Sequence, residues 1–160
     1  ATAALEHFTA TLAELLLTDA RARDLFGDEN VRNLFLWHAL EESEHKAVAF
    51  DVYRAVGGSE RTRVLQMNLI TASFIGGITF NVILSLLADR ETYRRGRLRA
   101  SWRRLRQSPL FRREVWDRLR DYNRRDFHPN DHDTDDLLET WRNELFGHAG
   151  RLNSKLAGAA

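Results

Sequence analysis

Apolar residues recur every three or four positions along most of the chain, the spacing of amphipathic helices rather than strands. Leu5, Phe8, Leu12, Leu15 and Leu16 mark a first helix over residues 2–25. Gly27-Asp28 punctuates the chain, and a second helix follows over 30–56, closed by Gly57-Gly58. Ser59 suits the cap of a third helix over 60–88, whose last twenty-five residues, 64–88, carry no charge. Leu98, Trp102 and Leu105 mark a helix over 90–106. Phe111, Val115, Leu119 and Tyr122 mark another over 110–123, after a break at Ser108-Pro109. Thr134 opens a last helix over 134–146, and residues 147–160 lack periodicity and read as a flexible tail. The pattern predicts one all-α domain over 1–146.

The second helix has an unusual stripe. With His38 at zero and 100° per residue, Glu42 falls at about +40° and His45 at about −20°. Val31, Leu34, Phe35, Ala49, Val52, Tyr53 and Val56 share that line, which predicts the buried face of the helix. An unpaired charge in an apolar contact costs several kcal/mol, on the order of the shift that would neutralise it. Two histidines and a carboxylate on that line are the ligand set of zinc, iron or manganese, and Glu42-x-x-His45 has the spacing used in di-metal helical bundles. The alternatives are a hydrogen-bonded polar network or a metal-free groove. On the first helix Glu6 sits on a shoulder of small residues and is a further candidate ligand. His7 falls on the polar side with Glu14 and Thr18, as a surface group or one supporting a ligand. The loop Asp126-Phe127-His128-Pro129-Asn130-Asp131-His132-Asp133 is a second cluster of ligand-type residues. His128, Asp131 and His132 are lesser candidates there, because loop Asp and His often only shape turns.

Charge and composition narrow the classes. The net charge is +1, yet residues 90–125 hold fourteen arginines against four acids. Such faces pair with acids on a partner, lie on an anionic membrane, or bind nucleic acid; the last use ranks lowest, as no nucleic-acid motif accompanies them. The uncharged run is long enough to cross a bilayer, but Gln66, Asn68, Asn81 and Gly76-Gly77 also suit a buried or subunit-facing helix. There is no cysteine, so disulfides, thiolate zinc sites and iron–sulfur clusters are excluded. That absence fits a reducing compartment, hence a cytoplasmic protein, membrane-associated if the run inserts. The start, Ala1-Thr2-Ala3-Ala4-Leu5, lacks Met, a basic segment and a helix cap, and reads as a fragment or a processed product.

Three stretches together resemble a bacterial family of predicted metal-dependent hydrolases: Ala4-Leu5-Glu6-His7-Phe8-Thr9-Ala10, Trp37-His38-Ala39-Leu40-Glu41-Glu42-Ser43-Glu44-His45-Lys46-Ala47-Val48-Ala49-Phe50-Asp51-Val52-Tyr53, and Phe127-His128-Pro129. Asn130 stands where that family usually has an aromatic residue. The resemblance implies a ferritin-like fold, of which this chain would be the C-terminal half. It also implies that Glu6 and Glu42-x-x-His45 are half of a di-metal site. A complete site takes about four carboxylates and two histidines. The rest would come from an N-terminal half, or from a second copy in a homodimer completing a four-helix bundle. Alternatively Glu6, His38, Glu42 and His45 hold a single ion.

The expected function is metal-dependent hydrolysis of a small-molecule substrate, with Glu41 or Glu42 as general base. His-Glu-x-x-His is absent, so this is not a standard zinc-protease helix. The alternatives are di-iron oxygen chemistry on an apolar substrate and a non-catalytic membrane or subunit interaction module.

Overall fold

The computed structural model describes residues 1–156, and helices account for nearly all of its regular structure. The order is α1 (Thr2–Thr18), α2 (Ala20–Arg23), α3 (Glu29–His45), α4 (Val48–Ala55), α5 (Glu60–Ala88), α6 (Arg97–Arg106), α7 (Arg113–Asp121), α8 (Asp135–Phe146) and α9 (Asn153–Leu156). Short 3-10 turns at Arg90–Tyr93, Pro109–Phe111 and Pro129–Asp131 join α5 to α6, α6 to α7, and α7 to α8. The all-α expectation holds.

α1 is the hub. Its C-terminal half packs with α3, α7 and α8 through Leu16, Leu17, Leu36, Leu40, Val115 and Trp141. Its N-terminal half packs with α4, α5 and α7 through Phe8, Phe50, Met67, Leu119, Tyr122 and Phe127. The predicted first and second helices are each broken in two. Asp19 stops α1 by turning extended and capping α2, its carboxylate accepting from the Arg21 amide at 2.9 Å. Arg21 holds that carboxyl down at about 2. The second helix breaks at Lys46-Ala47 without Pro or Gly. There Ser43 Oγ donates to the Ala39 carbonyl at 2.8 Å, a back-bond that bends helices. Lys46 Nζ donates to the His132 carbonyl and, at 2.8 Å, to Thr134 Oγ1, drawing the α7–α8 connection onto the break. α4 then ends on Gly57, whose φ of +77° suits only glycine without strain.

Two further differences follow from distant contacts. Residues 147–156 are not a loose tail: Asn153 Nδ2 donates to the Gly147 carbonyl at 2.7 Å, and Leu152 packs on the core. The remainder of the predicted tail, 157–160, lies outside the described residues. The predicted third helix packs on the core through its first half, where Arg63 is buried on Tyr122, with its guanidinium donating to the Arg124 carbonyl at 2.8 Å and to Glu60 at 2.7 Å. Its last protein-facing aromatic is Phe74, centred 4.6 Å from Phe8. α5 is long and apolar enough to cross a membrane, and its apolar window is unburied.

Candidate metal centre

The stripe predicted to be the buried face of the second helix is mostly open, although Ala49 and Tyr53 pack partly against the core. Leu36 is 0 % exposed, with Asn33, Ala39, Leu40 and Ser43 beside it. Leu34 is 58 % and Phe35 44 % exposed, and Val31, Val52 and Val56 stand open with them. The reason is tertiary: α1 and α8 cover the opposite side of α3 through Leu36, Ala39 and Leu40. The candidate ligands thus line an exposed apolar face, not a closed core.

On that face the imidazoles and carboxylates form a ladder. His38 Nδ1 lies 3.3 Å from Glu41 Oε2, and His38 Nε2 lies 3.4 Å from Glu42 Oε1. His45 Nδ1 lies 3.5 Å from the other Glu41 oxygen. Glu41 therefore bridges both histidines through one carboxylate. The structure joins His45 to Glu41 one turn earlier, and brings Glu42 to His38 instead. Thr9 Oγ1, from α1, donates to Glu42 Oε2 at 2.8 Å. Glu6 stands one turn before Thr9, and its Oε2 is buried with no hydrogen-bond partner. An orphaned buried carboxylate oxygen calls for a cation or a donor from outside. The donor chemistry fits a divalent ion. The number of donors does not: among the described residues no group of three or more His, Asp or Glu is arranged to hold a metal ion.

An apolar pocket of about 350 Å³ opens beside the ladder, between α1, α3 and the Pro109–Phe111 turn. Leu12, Leu16, Phe26, Phe35 and Leu110 line it, and Thr9, His38 and Glu42 form its polar end. Nothing in the periodicity pointed to this pocket, because Pro109 and Leu110 reach it only through the tertiary fold.

His7 is buried, not on the surface: it is 5 % exposed beneath α7. Its Nε2 donates to the Arg118 carbonyl at 3.1 Å, and its ring packs against Tyr122 and Phe127. Burial pushes its pKa down to about 4. Glu14, two turns further along the polar stripe, is paired with Arg118. The second cluster shapes the α7–α8 connection. His128 Nδ1 accepts from the Asn130 amide at 3.1 Å while its Nε2 donates to Asp51 at 2.8 Å. Asp131 accepts from the His128 amide at 3.1 Å and pairs with Arg124. His132 Nε2 lies 3.1 Å from Asp121 Oδ2, near enough for an ion pair but not aligned as a hydrogen bond. Burial, then Arg118, lower its pKa. His128 and Asp131 are hydrogen-bonded by the loop and by Asp51 of α4, His132 stands beside Asp121 of α7, and all three lie apart from the ladder's hydrogen bonds.

Neither the curated proteins nor the solved structures give a match to this chain. A family model does, over residues 1–133, which include Glu6, the whole ladder and the His128-Pro129 turn. The description of that family implies a divalent metal, and the chain belongs to it: the predicted metal-dependent hydrolases.

Proposed function

We propose that this chain carries one half of a carboxylate–histidine metal centre for hydrolysis of a small substrate, and that a second copy supplies the other half. The observation that carries this is the exposed apolar face of α3, bearing His38, Glu41, Glu42 and His45 beside the orphaned Glu6 carboxylate. Ligand-type residues on an unburied apolar stripe suit a surface that closes against a matching one. A two-fold pairing brings its own complement, since each residue meets its symmetry mate or near neighbour. Two sets of Glu6, His38, Glu42 and His45 then supply the four carboxylates and two histidines of a ferritin-like di-metal site, with histidines to spare.

In this arrangement Glu6, Glu42, His45 and His38 hold the ions. Bound metal supplies Lewis acidity and a water acidic enough to attack near neutral pH. The chain's own part is orientation and proton handling. Thr9 fixes one Glu42 oxygen, leaving the other directed to His38. Glu41 lies beside both imidazoles and would serve as the proton-accepting base. The pocket beyond Glu42 excludes water and receives an apolar portion of the substrate. That apolar lining also favours a second reading, di-iron oxygen chemistry on an apolar substrate. A non-catalytic interaction module is the reading left if no metal binds.

The test combines elemental analysis, mass in solution and ester hydrolysis for the wild type and a Glu42→Ala/His45→Ala variant. One or two ions per dimer, lost in the variant together with hydrolysis, are expected. Zinc or manganese would favour hydrolysis; iron with a visible absorption band would favour oxygen chemistry. A folded monomer that takes up none of the three metals would overturn the proposal.

A further inference from the structure

The arginine-rich stretch is two different things. The arginines of α7 and its flanks are paired with protein acids: Arg112 with Asp19 at 2.9 Å, Arg113 with Asp117 at 3.2 Å, and Arg118 with Glu14. In α6, Arg99, Arg103, Arg104 and Arg106 have no acidic partner among the described residues, although they stand exposed. Arg99, Arg103 and Arg106 line one open groove of about 800 Å³ together with Trp102. Leu98, Trp102 and Leu105, at helical spacing on the same ten-residue helix, are all exposed. α6 thus shows an apolar edge flanked by unpaired cations and packs on little but the turn that precedes it.

α5 leads into that helix and is unburied along the same stretch. Beyond Phe74 nearly every residue to Ala88 is exposed, among them Ile78, Phe80, Ile83 and Leu87. Water is a poor solvent for so long an apolar projection. Its polar side chains are partly masked: Asn81 Nδ2 donates back to the Gly77 carbonyl at 2.8 Å. Ile75–Ala88 is a run of about 21 Å at 1.5 Å per residue, against about 30 Å of bilayer hydrocarbon. Its end carries Asp89, Arg90 and Glu91, and the chain then returns to pack α7 on α1. Although α5 as a whole has the length to cross, the part that leaves the core is shorter than the hydrocarbon layer, ends in charges and leads back to the body, which suits a segment lying in the interface.

We infer that the end of α5 and α6 together form a monotopic membrane-docking hairpin for an anionic bilayer. The apolar residues enter the headgroup–acyl boundary, and the free arginines of α6 meet lipid phosphates and carboxylates. Charge complementarity selects this occupant over a second copy of the hairpin, which would set these arginines against one another. The inference is independent of the metal centre, since none of the hairpin's residues belongs to the ladder.

The test is co-sedimentation of the full chain with vesicles of phosphatidylcholine alone or mixed with phosphatidylserine. Binding about tenfold or more tighter to the anionic vesicles is expected, weakening with added salt. Arg99→Ser/Arg103→Ser/Arg104→Ser/Arg106→Ser should abolish that preference without changing the melting temperature, because these side chains hold no protein carboxylate. The chain lacks cysteine, so Ile83→Cys accepts a single dye. Quenching of that dye by lipid nitroxides near the headgroups, and not at the bilayer centre, is the expected depth. No vesicle binding, equal binding to neutral and anionic vesicles, quenching deepest at the bilayer centre, or dye protection that rises with protein concentration without lipid would each overturn the inference.

Discussion

Two stripes of the same core invert each other. On α3 a stripe of Val31, Leu34 and Phe35, apolar apart from the candidate ligands, stands open. On α1 a polar stripe of His7, Thr11 and Glu14 is buried. The difference lies in what each meets. α7 brings Arg118 over the α1 stripe, so Glu14 gains an ion pair, His7 a carbonyl acceptor, and Thr11 Oγ1 donates to the His7 carbonyl at 2.8 Å. Burial of polar groups is tolerated where every group finds a partner. On the α3 stripe Thr9 reaches Glu42 and Phe26 stacks on Phe35, but Val31, Leu34, His38 and His45 stand open to solvent. Local hydrophobicity ranks the two stripes one way, and the fold ranks them the other.

The sharpest way to break this comparison is at adjacent positions on α3. Leu36→Ala should cost about 3–4 kcal/mol in chemical denaturation, because Leu36 is fully enclosed. Leu34→Ala, two residues away, should cost under about 0.5 kcal/mol in a monomer. A comparable loss at both positions would mean that the α3 stripe is covered in solution, and measuring the pair at low and high protein concentration separates that cause from misplacement of the helix.

Acid should find the buried stripe next. His7 is held neutral, with its pKa depressed to about 4 from 6.5. Protonation therefore favours the unfolded chain: stability is full above about pH 6.5, declines as pH falls, and levels off below about pH 4. The depression corresponds to about 3 kcal/mol across that window. His7→Gln should flatten this part of the pH–stability curve. An unchanged acid limb would show that the imidazole is not enclosed.

The smallest of the three effects concerns Arg118. Glu14→Gln should destabilise by about 2 kcal/mol, less than a fully buried pair because the Arg118 side chain is one-third exposed. Glu14→Met/Arg118→Leu should recover much of that loss. If the double variant is no better than the single one, the pair contributes more than mutual neutralisation.

Much of the helical content was legible, because 3.6-residue periodicity, the Ser59 cap and the Gly57-Gly58 stop act locally. The breaks at Asp19 and Lys46 were not. Asp19 could equally have remained on a helix surface, and Lys46 marks a break only because His132 and Thr134, some ninety residues on, accept its ammonium. His38, Glu42 and His45 were legible as one turn-spaced set, with Glu41 only as a candidate base, yet the pairing was not: only the side-chain geometry assigns Glu41, and not Glu42, to His45. The burial of His7 on that polar stripe was not legible, because its cover, α7, is built from residues more than one hundred positions away.

By itself the sequence determined an all-helical chain, a set of ligand-type residues on one helix, and an uncharged run followed by an arginine block. These are properties of spacing and side-chain chemistry. The tertiary structure decided which faces are inside, which arginines are spent on protein carboxylates, and where α5 leaves the core. Those outcomes depend on which remote element arrives at each surface. A helix's own sequence constrains its stripes, but the choice of the covered one belongs to its neighbours.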